Sequence, residues 1–146
     1  MRFTPDVYGL VTAIRFFKAT GATGTHVGTI WTAAGKKLGT VTFTGESEGP
    51  AWQQQAFASP VIVHAGEQYI ASVFMPDGAW RAVWNYFSAS GVDNPPLSSP
   101  ASTDETRNGV YEYASAEVFP GEGWASNYWI DVVFRKAETA IGCTIQ

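Results

Sequence analysis

Short stretches in which apolar and polar side chains alternate dominate this chain. The clearest is the segment 68–75, in which Tyr69, Ala71 and Val73 share one face of a strand and Ile70 lies on the other. A side-chain period of two is that of a β-strand, and no segment has the period of an amphipathic helix. The pattern therefore predicts an all-β protein.

Turn residues divide these stretches from one another. Gly35 and the sequence Pro76-Asp77-Gly78 predict tight turns, and Pro60 is expected to end a strand because proline cannot donate to a β-ladder. The predicted strands are 10–17, 25–31, 38–44, 52–57, 61–63, 68–75, 80–87, 109–113 and 127–135. The connections are too short for helical crossovers. We therefore predict an antiparallel β-sandwich, jelly-roll-like, of about nine strands.

Strict alternation also predicts which side chains share a face. The predicted groups are Leu10, Thr12, Ile14 and Phe16 in the first strand, Trp80, Trp84 and Tyr86 in the seventh, and Tyr128, Ile130, Val132 and Phe134 on the core side of the last. Between the seventh and eighth predicted strands, residues 88–108 are rich in proline, serine, aspartate and asparagine. We expect a long irregular loop there.

The length and charge of the chain limit the classes of protein to which it can belong. The 146 residues suit one domain, which we place at residues 1–135, with residues 136–146 as a tail or linker. Only 15% of residues are charged, against about 25% in typical domains, and the net charge is −4. Without a basic stripe or a long apolar run, we expect neither nucleic-acid binding nor membrane insertion.

Motifs for catalysis are missing. The two histidines, His26 and His64, have no nucleophile or metal-ligand pattern near them, and the single cysteine, Cys143, lies in the predicted tail. We therefore predict no catalytic residues and regard both histidines as structural. A pair of carboxylates could still serve a glycosidase, but no spacing singles one out.

Aromatic residues concentrate in the second half of the chain. An exposed Trp or Tyr beside polar side chains suits a sugar, which has C–H groups on one face and hydroxyls on its rim. The alternative is that several of these rings belong to the core. The candidate ligand-binding residues are Trp80, Tyr86, Asp93, Asn94, Tyr111, Tyr113, Trp124 and Asn127.

Asp93 and Asn94 have two further interpretations. Their side chains can cap a turn, or their oxygens can bind a structural calcium ion. Turn capping is favoured, since the spacing of a known calcium loop is absent.

The order of several motifs resembles the bacterial family of domains of unknown function numbered four-zero-eight-two (DUF4082). The matching stretches are 11–18, 24–31, Gly91-Val92-Asp93-Asn94, Asn108-Gly109-Val110-Tyr111 and 127–134. The resemblance covers residues 2–135. It implies a β-sandwich module of a larger secreted or cell-surface protein, accompanied by other domains, and it implies no catalytic residue.

Three functions follow as hypotheses. The first is a non-catalytic extracellular module that binds a polysaccharide or other glycan, or attaches its parent protein to a cell surface. The second is a structural spacer or protein-interaction module, for which the aromatic rings would be buried. The third is a small hydrolase, which the missing motifs disfavour.

Overall fold

The computed structural model describes residues 1–137, and every regular element in that part of the chain is a β-strand. In chain order the strands are β1 (Arg2–Pro5), β2 (Gly9–Lys18), β3 (Val27–Thr32), β4 (Lys37–Thr42), β5 (Ala51–Val63), β6 (Tyr69–Phe74), β7 (Val92–Asn94), β8 (Leu97–Ser99), β9 (Gly109–Tyr111), β10 (Glu122–Trp124) and β11 (Ile130–Lys136). Nothing in residues 1–137 is a helix long and apolar enough to cross a membrane. The predicted tail falls largely outside the described residues, as does Cys143.

Two antiparallel sheets and a hairpin make up the fold. One sheet has the order β4-β3-β6-β1-β8-β7, the other has the order β11-β2-β5, and β9 pairs with β10. The two sheets pack face to face as a β-sandwich, which confirms the predicted fold class. The strands that sequence patterning missed, β1, β7, β8 and β10, have three or four residues each. Such strands are too short to show a clear alternation.

One apolar core fills the space between the sheets. Its buried members are Phe3, Val11, Ile14, Phe16, Ile30, Phe43, Phe57, Val61, Val63, Tyr69, Ala71, Ile130 and Val132. The predicted core face of β11 is confirmed, since Tyr128 and Phe134 pack against Ile130 and Val132 in this cluster. Burying one such large side chain contributes about 1.5–3 kcal/mol, so this core supplies most of the driving force for folding.

Strand β2 departs from the predicted alternation at Thr12. The pairing of β2 with β11 shifts register there, because Val133 lies opposite Ala13 and Phe134 lies opposite Val11. Thr12 is thus an extra residue, a β-bulge, and side chains before and after it exchange faces. The core face is formed by Val11, Ile14 and Phe16, so the prediction that Leu10 and Thr12 share a face with Ile14 and Phe16 is wrong.

Strand β5 continues past Pro60 instead of ending there. Ala56 pairs with Ala13 and Val61 pairs with Val11, so the intervening residues 57–60 have no partner on β2. Pro60 lies in this unpaired stretch, where its missing N–H breaks no ladder bond. The two predicted strands 52–57 and 61–63 are therefore one irregular strand.

A second apolar cluster covers the outer face of the six-stranded sheet. Trp31, Ile70 and Val110 are buried there, with Phe119 packed against them. The predicted faces of β6 are confirmed, because Tyr69 and Ala71 point into the main core while Ile70 points into this second cluster. The central strand β6 is consequently buried on both sides.

The predicted strand 80–87 does not form. Val83 makes an isolated antiparallel bridge with Asn127, and residues 84–87 turn around Asn85, whose φ is 58°. Asparagine tolerates this left-handed conformation better than most residues. A turn interrupts the period of two, so the prediction that Trp80, Trp84 and Tyr86 lie along one strand face is wrong.

The segment 88–108 is more regular than predicted. It contains the hairpin of β7 and β8, and β8 pairs with β1, with Thr4 opposite Ser98. The connection between β7 and β8 is Pro95-Pro96, joined by a cis peptide bond. The hairpin forms one edge of the six-stranded sheet, a long-range arrangement that local composition does not reveal.

The buried side chain of Asn108 joins several of these elements. Its Oδ1 accepts a hydrogen bond from the Arg2 N–H at 3.0 Å, and its Nδ2 donates to the Ser99 hydroxyl at 2.8 Å and to the Pro100 carbonyl at 2.6 Å. Gly109, the next residue, lies so close to the backbone of Ser126 that an added Cβ would be 2.0 Å from its carbonyl oxygen. Asn108 and Gly109 thus fix where β9 begins.

We expect Asn108→Ala to lower the free energy of unfolding by about 2–4 kcal/mol, because it removes the partner of the Arg2 N–H and of the Pro100 carbonyl and one of the two bonds of the Ser99 hydroxyl. Chemical denaturation measures this loss. Asn94→Ala, at an exposed asparagine, is the matched control and should change stability by less than about 0.5 kcal/mol. Equal losses in the two variants would contradict the role assigned to Asn108.

Candidate functional site

The structure divides the predicted ligand-binding residues between two depressions. Trp80, Tyr111 and Tyr113 line one, which we call the first cleft. The other depression, which we call the second cleft, is lined by Tyr86, Asn94 and Asn127. Of the remaining two, Trp124 lies beside the first cleft, where its indole N–H donates to the Tyr111 hydroxyl at 3.0 Å, and Asp93 lines neither.

The first cleft is the larger, with a volume of about 430 Å³. Its walls come from the end of β6, the turn 76–78, Trp80, the start of the β9–β10 hairpin and Tyr128 just before β11. Its floor includes side chains of both apolar clusters, among them Val110 and Ile130. Segments distant in the sequence therefore meet around it.

Aromatic rings in mutual contact form one wall of the first cleft. The Trp80 ring lies 5.6 Å from that of Tyr128 at 80°, and 5.9 Å from that of Trp84 at 83°. Tyr111 in turn lies 6.2 Å from Tyr128 and 5.6 Å from Tyr113. Edge-to-face packing of this kind holds each ring in a defined plane, so ring faces are preorganised for a flat ligand.

Acidic groups, and no basic ones, accompany these rings. Asp77, Glu112 and Glu117 line the first cleft, while none of its lining residues is lysine, arginine or histidine. Glu117 is paired with Lys37 and also accepts a hydrogen bond from the Thr29 hydroxyl. The cleft therefore has a negative potential that is only partly compensated.

Glu112 differs from the other two carboxylates. Within residues 1–137 it makes no hydrogen bond or ion pair, and it is exposed between Tyr111 and Tyr113. Glu112 was not among the residues predicted from the sequence, although its position in the sequence Tyr-Glu-Tyr was an available signal. It is the carboxylate best placed to meet a ligand.

Tyr128 was predicted to be a core residue and has a double role. Its ring packs against the main core and also forms part of the first cleft. Burial raises the pKa of its hydroxyl, and the neighbouring Tyr111 and Tyr113 raise it further. The hydroxyl therefore stays protonated at neutral pH and can donate a hydrogen bond.

The second cleft is smaller, at about 210 Å³, and its polar groups are largely engaged. The Asn127 Oδ1 accepts a hydrogen bond from the Trp129 N–H at 2.8 Å, and Asp131 is paired with Arg15. Arg15 itself lies over the Trp52 ring, 5.0 Å from its centroid. These contacts stabilise the outer face of the three-stranded sheet and leave few free groups for a ligand.

In the motif Gly91-Val92-Asp93-Asn94, the packing of the backbone explains the glycine. A Cβ at Gly91 would lie 2.3 Å from the Ser99 carbonyl oxygen, so only glycine permits this approach of β7 to β8. Asp93 is exposed. In residues 1–137 there is no group of three or more His, Cys, Asp and Glu side chains arranged to hold a metal ion.

The two histidines have different surroundings. His26 is fully buried, and its Nδ1 lies 2.8 Å from Oε1 of Glu46, whose Oε2 is paired with Lys18 at 2.9 Å. His64 is exposed and its ring lies 5.4 Å from that of Tyr8. Neither histidine lines the first cleft.

A family model described as Domain of unknown function (DUF4082) matches residues 1–130. The searches of curated proteins and of solved structures find no match.

Asp77 fixes the turn at the rim of the first cleft, which gives a pH-dependent prediction. Its carboxylate accepts hydrogen bonds from the Thr23 N–H and, at 3.0 Å, from the Ala79 N–H. The bond from Thr23 in particular lowers the pKa of Asp77 below its ordinary value of 3.8. The resulting stabilisation is present above the unfolded-state pKa and is lost as the pH falls through the lowered one.

We therefore expect Asp77→Ala to lower the thermal midpoint at neutral pH by a few degrees, for a loss of about 1 kcal/mol or less at this exposed site. The difference from wild type should shrink at a pH below the lowered pKa, where the carboxyl is protonated in the folded state as well. Thermal unfolding monitored by circular dichroism at both pH values measures it, with Asp93→Ala as the control. A difference in thermal midpoint that does not change with pH would show that the charge of Asp77 does not contribute to stability.

Proposed function

The chain belongs to the family Domain of unknown function (DUF4082), and on that premise we propose that it is a non-catalytic module that binds a glycan in the first cleft. The module would serve a larger secreted or cell-surface protein by attaching it to a polysaccharide. The observation that carries this proposal is the aromatic wall of the first cleft.

The geometry of that wall suits a sugar ring. Tyr113 is 77% exposed, and Trp80 and Tyr128 are half-buried. Trp84, which packs against Trp80 but does not line the cleft, is 61% exposed. Exposed aromatic side chains cost hydrophobic free energy in water, and a ligand that covers them recovers it. The C–H face of a pyranose can stack on such rings while carboxylate and hydroxyl groups bind its rim.

The exposure of the rings favours a binding module over a spacer. A spacer would bury Trp80, Tyr86, Tyr111 and Trp124 in the core, but Tyr86 is 41% exposed, Trp124 is 54% exposed, and the other two are only partly buried. A protein partner that covers the same rings is the competing hypothesis, and the experiment below separates the two.

The bonding of the polar groups supports a role without catalysis. The carboxylates of Asp77 and Glu117 are both held by neighbouring side chains or N–H groups, which suits architecture better than proton transfer. His26 is bonded to Glu46 inside the protein, away from the cleft lining. Glu112 alone would lack the second carboxylate that glycoside hydrolysis ordinarily uses.

Trp80→Ala and Tyr113→Ala should each weaken glycan binding by about tenfold, the loss expected for one stacking contact of ~1.4 kcal/mol. Pull-down on insoluble polysaccharides and a glycan array identify the ligand, and isothermal titration calorimetry measures its dissociation constant. Because Trp80 also packs against Tyr128, the exposed Tyr113 provides the variant that is safe for folding.

Tyr8→Ala is the matched control, since this tyrosine is 46% exposed but lies outside the first cleft. It should bind as wild type does. Each assay is run with calcium and with a chelator, and a requirement for calcium would implicate the Asp93–Asn94 pair. If the wild-type module binds no glycan in either condition, the glycan proposal fails and the protein-interaction hypothesis takes its place.

A further inference from the structure

We propose that the first cleft selects glycans that carry a protonated amino group, such as oligomers of glucosamine, over neutral and acidic glycans. This inference rests on the glycan-binding function proposed above and names the class of sugar that the same cleft takes. Three features of the cleft favour such a sugar: the sign of its charges, its aromatic rings, and the unpaired state of Glu112 within residues 1–137.

The charges that line the first cleft are of one sign. Asp77, Glu112 and Glu117 are all acidic, and the cation that pairs with Glu117, Lys37, is not itself a lining residue. An acidic sugar such as a uronic acid would meet repulsion there and would find no lining cation to bind its carboxylate. A protonated amine would instead be attracted by these carboxylates.

The aromatic rings favour the same ligand. A cation placed over the face of a tryptophan or tyrosine is attracted by the ring quadrupole. Trp80, Tyr128, Tyr111 and Tyr113 line one cleft and follow one another in a chain of ring contacts, so a ligand in the cleft lies beside several rings. A sugar with an ammonium group on its ring would combine stacking with this attraction.

Glu112 supplies the specific partner. It has no hydrogen bond or ion pair in residues 1–137, and it stands between two of the tyrosines in the sequence. A charge-assisted hydrogen bond from an ammonium group to this carboxylate would form without breaking an existing contact. Asp77 and Glu117 already have partners, so we assign the discrimination to Glu112.

The second cleft provides no such environment. Its carboxylate, Asp131, is paired with Arg15, whose guanidinium also occupies the Trp52 ring face. An ammonium group there would have to displace an arginine, so selection for amines belongs to the first cleft.

The test compares three oligosaccharides of equal length: a glucosamine tetramer, its fully N-acetylated counterpart and a galacturonic acid tetramer. At a pH where the amine is protonated, calorimetry should show the glucosamine tetramer binding about tenfold more tightly than the N-acetylated one, and the acidic tetramer binding more weakly than either. Rising ionic strength should reduce the preference, because it screens the charge of an exposed carboxylate.

Glu112→Gln is the decisive variant, since it keeps the shape of the side chain and removes its charge. It should bind the glucosamine tetramer about tenfold more weakly than wild type does and bind the N-acetylated tetramer unchanged. Glu105→Gln makes the same change in net charge at an exposed site outside the first cleft and should leave the preference intact. Unchanged thermal midpoints verify that both variants are folded.

Two results would overturn the inference. Equal affinity for the amino and N-acetylated tetramers, or a preference that survives in Glu112→Gln, would leave glycan binding in place but remove the selectivity. Failure of wild type to bind any of the three would also reject it, and the polysaccharide panel with Tyr113→Ala then decides separately whether the module binds a glycan at all.

Discussion

The buried amide of Asn108 is the contact on which the rest of this architecture depends. It binds the Arg2 N–H in β1, the Ser99 hydroxyl in β8 and the Pro100 carbonyl. Without it the Arg2 N–H and the Pro100 carbonyl would lose this partner, and an unsatisfied buried polar group costs about 1–3 kcal/mol. The following residue, Gly109, permits β9 to lie against Ser126. Because β9 ends at Tyr111, the same contacts position one side of the first cleft.

A second constraint is the burial of the six-stranded sheet on both faces. Trp31, Ile70 and Val110 need a cover, and Phe119 in the β9–β10 connection supplies part of it. Glu117 holds that connection in place through Lys37 and Thr29. The first cleft is the gap that remains between this covering segment, the end of β6 and Trp80, so the site follows from how the outer face of the sheet is closed.

The chemistry of the first cleft differs from that of the core around it. Its rings are held by edge-to-face contacts, and within residues 1–137 its carboxylates form an ion pair only with Lys37. Two of the three carboxylates serve the fold, and Glu112 alone is uncommitted within the described residues. A surface that combines ordered aromatic faces with one free negative charge is suited to a ligand that is partly apolar and positively charged.

Sequence alone determined the fold class, the antiparallel strands, the two faces of β6 and the inward face of β11, because the alternation of side chains along a strand is a local property. The turns at Gly35 and at Gly78 were predictable for the same reason, and both glycines have a positive φ. The aromatic concentration in the second half also pointed to the residues of the first cleft, including Trp80 and Tyr111.

Only the tertiary structure decided where those residues meet. The contact of Trp80 with Tyr128, the bulge at Thr12 and the pairing of β8 with β1 each depend on segments far apart in the chain, which no local pattern records. A turn at Asn85 replaced the predicted strand, and the residues on either side of it, Val83 and Phe87, are held by backbone hydrogen bonds to Asn127 and Ala125. Packing between distant segments also placed Tyr86 and Asn127 in the second cleft rather than the first. Sequence spacing does not predict this separation.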